Sequence, residues 1–339
     1  GKARAEDKDD IVNRPGQRQS GKLGYPVPAH HQRIGHADQR LRHVTANKRQ
    51  TQHQNGTGLS SNTDAWLGFD ALMGHGFAID PGTIRGQCQS VARMLIHIGI
   101  IAVLTVLTQL GGFAWLLALA FRRRLLAFGL LYASFSLAAV FIASQTGRVA
   151  KPCLSGETLK VQSWAYCLMN RHYVTPEMRA VLEDTSKAIA DRHPGTVTLV
   201  LDAGFPFLDG FPLLPHLSHS DGRKADVAFY YQQEGVYLPG KTRSPIGYFA
   251  FEEGPSPCPP EFPTLRWDLG FLQPFWPDYA LDDKRTWSAL VLLARDPRVG
   301  KVFVEPHLKD RLGVAHPKVR FQGCRAARHD DHIPVSYTH

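Results

Sequence analysis

The stretch Pro215-His-Leu-Ser-His-Ser-Asp-Gly-Arg-Lys-Ala-Asp226 spaces His216, His219, Gly222 and Asp226 as His-x2-His-x2-Gly-x3-Asp. Imidazole nitrogen and carboxylate oxygen both bind zinc, at about 2.0–2.2 Å. A glycine between them lets the chain turn back, so that a loop histidine and an aspartate at a strand start meet on one ion. Solvated histidines of a surface loop share this spelling. A second cluster, Arg328-His-Asp-Asp-His-Ile-Pro334, follows about 110 residues later. Residues two apart on a strand share a face, so His332 and position 334 point the same way. A His-x-His there supplies one ligand and one base to a single site, but this chain has proline at 334.

The elements that must position these groups belong to residues 146–339, which read as one α+β domain, a mainly antiparallel sheet flanked by helices. Thr175-Pro-Glu opens a helix with an N-cap and proline at N1. Met178, Val181, Leu182, Thr185 and Ile189 form its buried stripe, and His193-Pro-Gly195 stops it. Residues 196–201, 226–231 and 301–305 are predicted strands by β-branched and aromatic content. Residues 282–294 are a second helix, and a Pro/Gly-rich excursion runs from Leu238 to Pro277.

Together the two clusters resemble the penicillin-insensitive murein endopeptidases, within the lysostaphin and D-Ala-D-Ala metallopeptidase group. That family carries His-x-x-His-x-x-Gly-x3-Asp and then His-Asp-Asp-His-x-His. His216, His219, Gly222, Asp226, His329, Asp330, Asp331 and His332 match. Trp287 with its helix, and Val302-Phe-Val-Glu-Pro-His-Leu-Lys309, are similar to the segment before the last motif. Arg223-Lys224 and the stretch from Cys324 to Arg328 depart from the family pattern. The resemblance implies a Zn2+ cofactor held by His219 and Asp226, with a histidine expected at 334 as the third ligand. It implies His332 and His329 as the catalytic groups that take a proton from the attacking water and stabilise the tetrahedral intermediate. His216 is then a contact to substrate or a support behind the ligands. The substrate implied is peptidoglycan, cut at amide bonds to D-amino acids in its peptide cross-links. Two rivals remain: a D,D-carboxypeptidase of the same group, and a metal-free cell-wall-binding module, which Pro334 favours.

Before this domain, Met94 to Ala120 and Leu125 to Ser144 carry no formal charge and are split by Arg122–Arg124. A bilayer core needs about 20 apolar helical residues, so residues 94–145 are expected to form a transmembrane helical hairpin. The arginines are expected in the cytoplasm by the positive-inside rule, which delivers the catalytic domain to the periplasmic side of a bacterial inner membrane. The charge of +9 divides unevenly: 13 Lys/Arg against 8 Asp/Glu in residues 1–93, but 23 against 22 in residues 146–339. A nearly neutral domain has no basic nucleic-acid-binding face, and no nucleic-acid partner is expected. Residues 1–93 read either as a disordered basic tail or as non-native sequence upstream of a start at Met94. Of the five cysteines, four follow the apolar runs, where disulfides can form, in pairings that spacing leaves open. Val335-Ser-Tyr-Thr-His339 reads like one frame of a sequencing-library adapter, so residues 334–339 are expected to be non-native and position 334 natively histidine.

Overall fold

A computed structural model describes residues 81–153, 155–259 and 266–338. The chain divides into two units, Gly1–His75 and Gly76–His339, and everything described lies in the second. Most of the expected N-terminal stretch, residues 1–80, lies outside the described residues.

The helices are α1 (Pro81–Thr108), α2 (Gly111–Ala118), α3 (Arg124–Ile142), α4 (Trp164–Leu168), α5 (Pro176–Arg192), α6 (Asp283–Arg295) and α7 (Pro306–Arg311). The strands are β1 (Val149–Ala150), β2 (Leu159–Val161), β3 (Tyr173–Val174), β4 (Thr198–Val200), β5 (Lys224–Ala228), β6 (Tyr231–Gln233), β7 (Val236–Tyr237), β8 (Ala280–Leu281), β9 (Val299–Phe303), β10 (Val319–Arg320) and β11 (His332–Tyr337). The main sheet has the order β10-β9-β11-β5-β4-β2. Its centre is antiparallel, and its two outermost pairs are parallel. The expected α+β class holds, and the main sheet is mainly antiparallel as expected, with one parallel pair at each edge.

Local chemistry sets the two covering helices. Thr175 Oγ1 accepts from the N–H of Met178 and caps α5, whose buried residues include the whole expected stripe. Asp282 caps α6 by accepting from Arg285 N–H at 3.0 Å. Both helices pack on one core with Val227, Val302, Ile333 and Val335 of the sheet. Because successive strand residues alternate, this leaves Asp226, His332 and Pro334 on the opposite face. One predicted strand is interrupted: residues 226–231 fall into the end of β5 and the start of β6.

The first uncharged run is not a single helix. Gln109 ends α1 in a left-handed conformation, φ 65°, and its side-chain amide pairs with both backbone groups of Phe207 at 2.7 and 2.9 Å. The short α2 then packs back on α1, which glycine allows: a Cβ at Gly112 would lie 1.8 Å from Thr105 Oγ1. Asn170 donates to Tyr132 and Ser136 of α3 and to the carbonyl of Thr108, tying both long helices to the domain. Two spans, Gln89–Thr108 and Arg124–Thr146, are long and apolar enough to cross a membrane. Only 6% and 11% of them is buried, which is unlike a core helix of a water-soluble domain. The segment from 94 to 145 therefore holds two such helices with α2 between them, rather than a plain two-helix hairpin.

Four cysteines pair as Cys153–Cys167 and Cys258–Cys324. Beside the first bridge, Lys151 is 2% exposed and its Nζ has no hydrogen-bond partner among the described residues. Burial pushes its ammonium down to about 7, against the pull of Asp202 and Asp226. Below pH 7 the folded and unfolded chains both carry the charge, and the fold bears its full desolvation. Between about 7 and 10.5 the unfolded chain holds a proton that the folded chain has released, so this group makes stability rise with pH. The shift corresponds to about 5 kcal/mol across that window. Lys151→Met is expected to stabilise the protein most below pH 7 and to level the difference by about pH 10. Unfolding free energies of both proteins across this range check it, and parallel curves would refute it.

Candidate metal centre

Gly222 has φ +67°, a backbone that L side chains avoid, and a Cβ there would meet Arg148 Nη1 at 1.6 Å. That turn carries the chain from the short 3-10 turn Leu217–His219 into β5. His219 and Asp226, 4% and 1% exposed, meet behind it with Nε2 of His219 3.4 Å from Oδ1 of Asp226. Two ligands about 2.0–2.1 Å from one ion at the tetrahedral angle lie about 3.4 Å apart. His219 Nδ1 sits 3.1 Å from the carbonyl of Ala203. Donation there leaves the Nε2 lone pair facing Asp226, the usual arrangement of a ligating histidine.

His216 Nδ1 is 3.0 Å from Asp226 Oδ2, and the donor atoms of His216, His219 and Asp226 all lie within 4.8 Å of one another. His216, expected as a support, thus stands among the candidate donors. Oδ1 of Asp226 is buried and has no hydrogen-bond partner among the described residues. An orphaned carboxylate oxygen beside an imidazole lone pair fits a cation. Cys153, Cys167 and His172 also lie close together, but the two sulfurs are bonded to each other and offer no thiolate.

The second cluster arrives on β11. His332 pairs with Ala228 and Pro334 with Asp226 across the β5–β11 ladder. Nε2 of His332 is 3.7 Å from Asp226 Oδ2, and its Nδ1 is held by Asp331. Asp331 is fixed in turn by the N–H of Phe249 at 2.6 Å. His329 faces His332 edge-on at 5.2 Å and stacks on Phe303 at 6.0 Å. The five histidines and carboxylates singled out in the sequence therefore converge, and position 334 carries no ligand atom.

Charges follow this packing. Burial alone would raise Asp226, but His219, His332 and His216 outweigh it and hold the carboxyl well below its usual range. Burial lowers His332, and the carboxylates of Asp331 and Asp226 more than reverse it. Burial, reinforced by His332, pushes His329 down to about 3 and keeps it neutral.

Three neighbours escaped the sequence reading. Tyr248 donates to Asp226 Oδ2 at 2.7 Å and accepts from the N–H of Asp202 at 3.1 Å. Burial and the carboxylates of Asp226 and Asp202 raise its phenol well above the ordinary value, so it stays a donor. Arg171 grips Asp202 with two donors and reaches the carbonyl of Leu214 at 2.6 Å, just before the first motif. Tyr248→Phe is expected to weaken metal binding about 10–100-fold by freeing Asp226 to rotate. Metal titration of the variant checks this, and unchanged affinity would exclude the role.

No family model matches this chain, and no curated protein matches it either.

Proposed function

We propose that this chain is a membrane-anchored zinc peptidase of the murein endopeptidase type, hydrolysing amide bonds at D-amino acids in peptidoglycan cross-links on the periplasmic side of a bacterial inner membrane. The observation that carries the reading is the convergence of His219, Asp226 and His216 with His332 and His329 around one cavity of about 370 Å³. His219 and Asp226 would hold the ion, with His216 the third donor within reach. Zinc, when bound, polarises the carbonyl and lowers the pKa of water to about 7. Asp331 fixes His332 so that Nε2 faces the cavity and takes the proton of the attacking water. His329 stands by as a neutral hydrogen-bonding group for the carbonyl oxygen.

The location is supported by two apolar helices that precede the domain, by the arginines between them, and by two disulfides beyond them. The experiment is incubation of the zinc-loaded full chain with purified cross-linked muropeptide dimers. Conversion of dimers to monomers supports the endopeptidase reading, whereas release of free D-Ala assigns a D,D-carboxypeptidase. Intact dimers, together with failure of the chain to retain zinc when loading is attempted, assign the wall-binding module. A reporter inserted after Ala150 should be active only outside the cytoplasm, and cytoplasmic activity would reverse the orientation.

A further inference from the structure

The cavity beside the candidate metal donors has a cationic wall that none of the proposed chemistry uses. Lys224 of β5 and Lys301 of β9 stand on either side of position 336 of β11, in register with it and therefore with each other. Both line the cavity, on the sheet face that carries Asp226 and His332. Strand spacing puts their Cα atoms about 9.6 Å apart, a gap that two lysine side chains close on one anionic group. The row they form lies one pleat, about 6.7 Å, from the row of Asp226 and Pro334. Lys224 Nζ donates to the carbonyl of Ser218 at 2.7 Å and keeps two further donors. Lys301 is exposed and has no ion pair among the described residues. Asp226 is the only carboxylate among the residues lining the cavity, and His216, His219 and His332 already surround it.

We infer that Lys224 and Lys301 form a carboxylate-binding subsite, and that the substrate is a peptide with a free carboxylate on a residue beside the amide that is cut. The inference rests on the peptidase reading and narrows it. Phe303, one row away, and the alanines at 326 and 327 give the rest of this wall an apolar character. A short side chain next to the carboxylate fits there better than a second charge. The arrangement needs no particular side chain at 336, because the strand only spaces the two lysines.

The test measures binding and cleavage separately, with the full zinc-loaded chain in detergent and two probes. One is a D-alanyl-diamino-acid peptide with its carboxylates free, and the other is the same peptide amidated. The wild-type chain should bind the free acid about ten times more tightly, as expected for a charge-assisted hydrogen bond. Lys301→Gln should narrow the preference to about twofold, and Lys301→Glu should reverse it. Lys224→Gln is the second variant and should act in the same direction. Equal binding of both peptides by the wild-type chain overturns the inference, and so does an undiminished preference in both glutamine variants. Preference for the acid without cleavage of either peptide would leave the subsite standing and sink the peptidase reading. Cleavage of both peptides without preference would do the opposite.

Discussion

Pro334→His is expected to raise the affinity for zinc on the order of 100-fold and to raise the rate of peptide hydrolysis with it. The geometry is favourable for a specific reason. Asp226 directs both its N–H and its C=O toward the β4 side, to Asp202 and from Leu201, at 2.9 and 2.8 Å. Toward β11 it is therefore the close, non-hydrogen-bonded kind of antiparallel pair, with Cα atoms about 4.5 Å apart and side chains nearest. Its partner in that pair is position 334. An imidazole there would project from the same face as His332, toward the orphaned oxygen of Asp226. The substitution also returns an N–H to a strand that lies between two others, where proline is otherwise disfavoured. Metal titration and muropeptide turnover of both proteins check the expectation. Equal affinity in the two would show that His216 already completes the donor set.

His219→Ala and Asp226→Ala are each expected to abolish zinc binding and hydrolysis while leaving the domain folded. Asp226 is buried on the sheet face opposite the core built by Val227, Ile333 and Val335, and His219 is buried against it from the turn before β5. Losing either removes ligand atoms but no core packing. Asp226→Ala has a second consequence. It takes away one of the carboxylates that lift His332, so the imidazole should titrate at lower pH than in the parent. Metal content after dialysis, the melting temperature and the NMR titration of His332 are the readouts. Parental metal content in either variant would remove that residue from the ligand set.

How much of this was legible in the sequence depends on the range of the interactions involved. Caps and stripes are local, so α5 could be read from Thr175 and the spacing of its apolar residues, and α6 was placed at residues 282–294. The two motifs were legible because each is compact and the chemistry of His and Asp is distinctive. Tyr248 was not, since it lies in the Pro/Gly-rich excursion and reaches Asp226 only through tertiary packing. The break in the first apolar run was half legible. Thr105, Thr108 and Gln109 are polar residues within it, but Gln109 ends α1 by pairing with Phe207, nearly a hundred residues later. Disulfide pairing was beyond reach, because four cysteines allow three pairings and only the fold chooses.

β11 follows every other described strand along the chain, yet it fills the place between β9 and β5. Until His332–Tyr337 is inserted, those two strands present open edges, and His219 and Asp226 face no second cluster. Closure across so many intervening residues is slow compared with local folding. A partly made chain would therefore be sticky at its sheet edges but chemically harmless. On the peptidase reading proposed above, this order of assembly would complete the cutting site only after the rest of the sheet had formed.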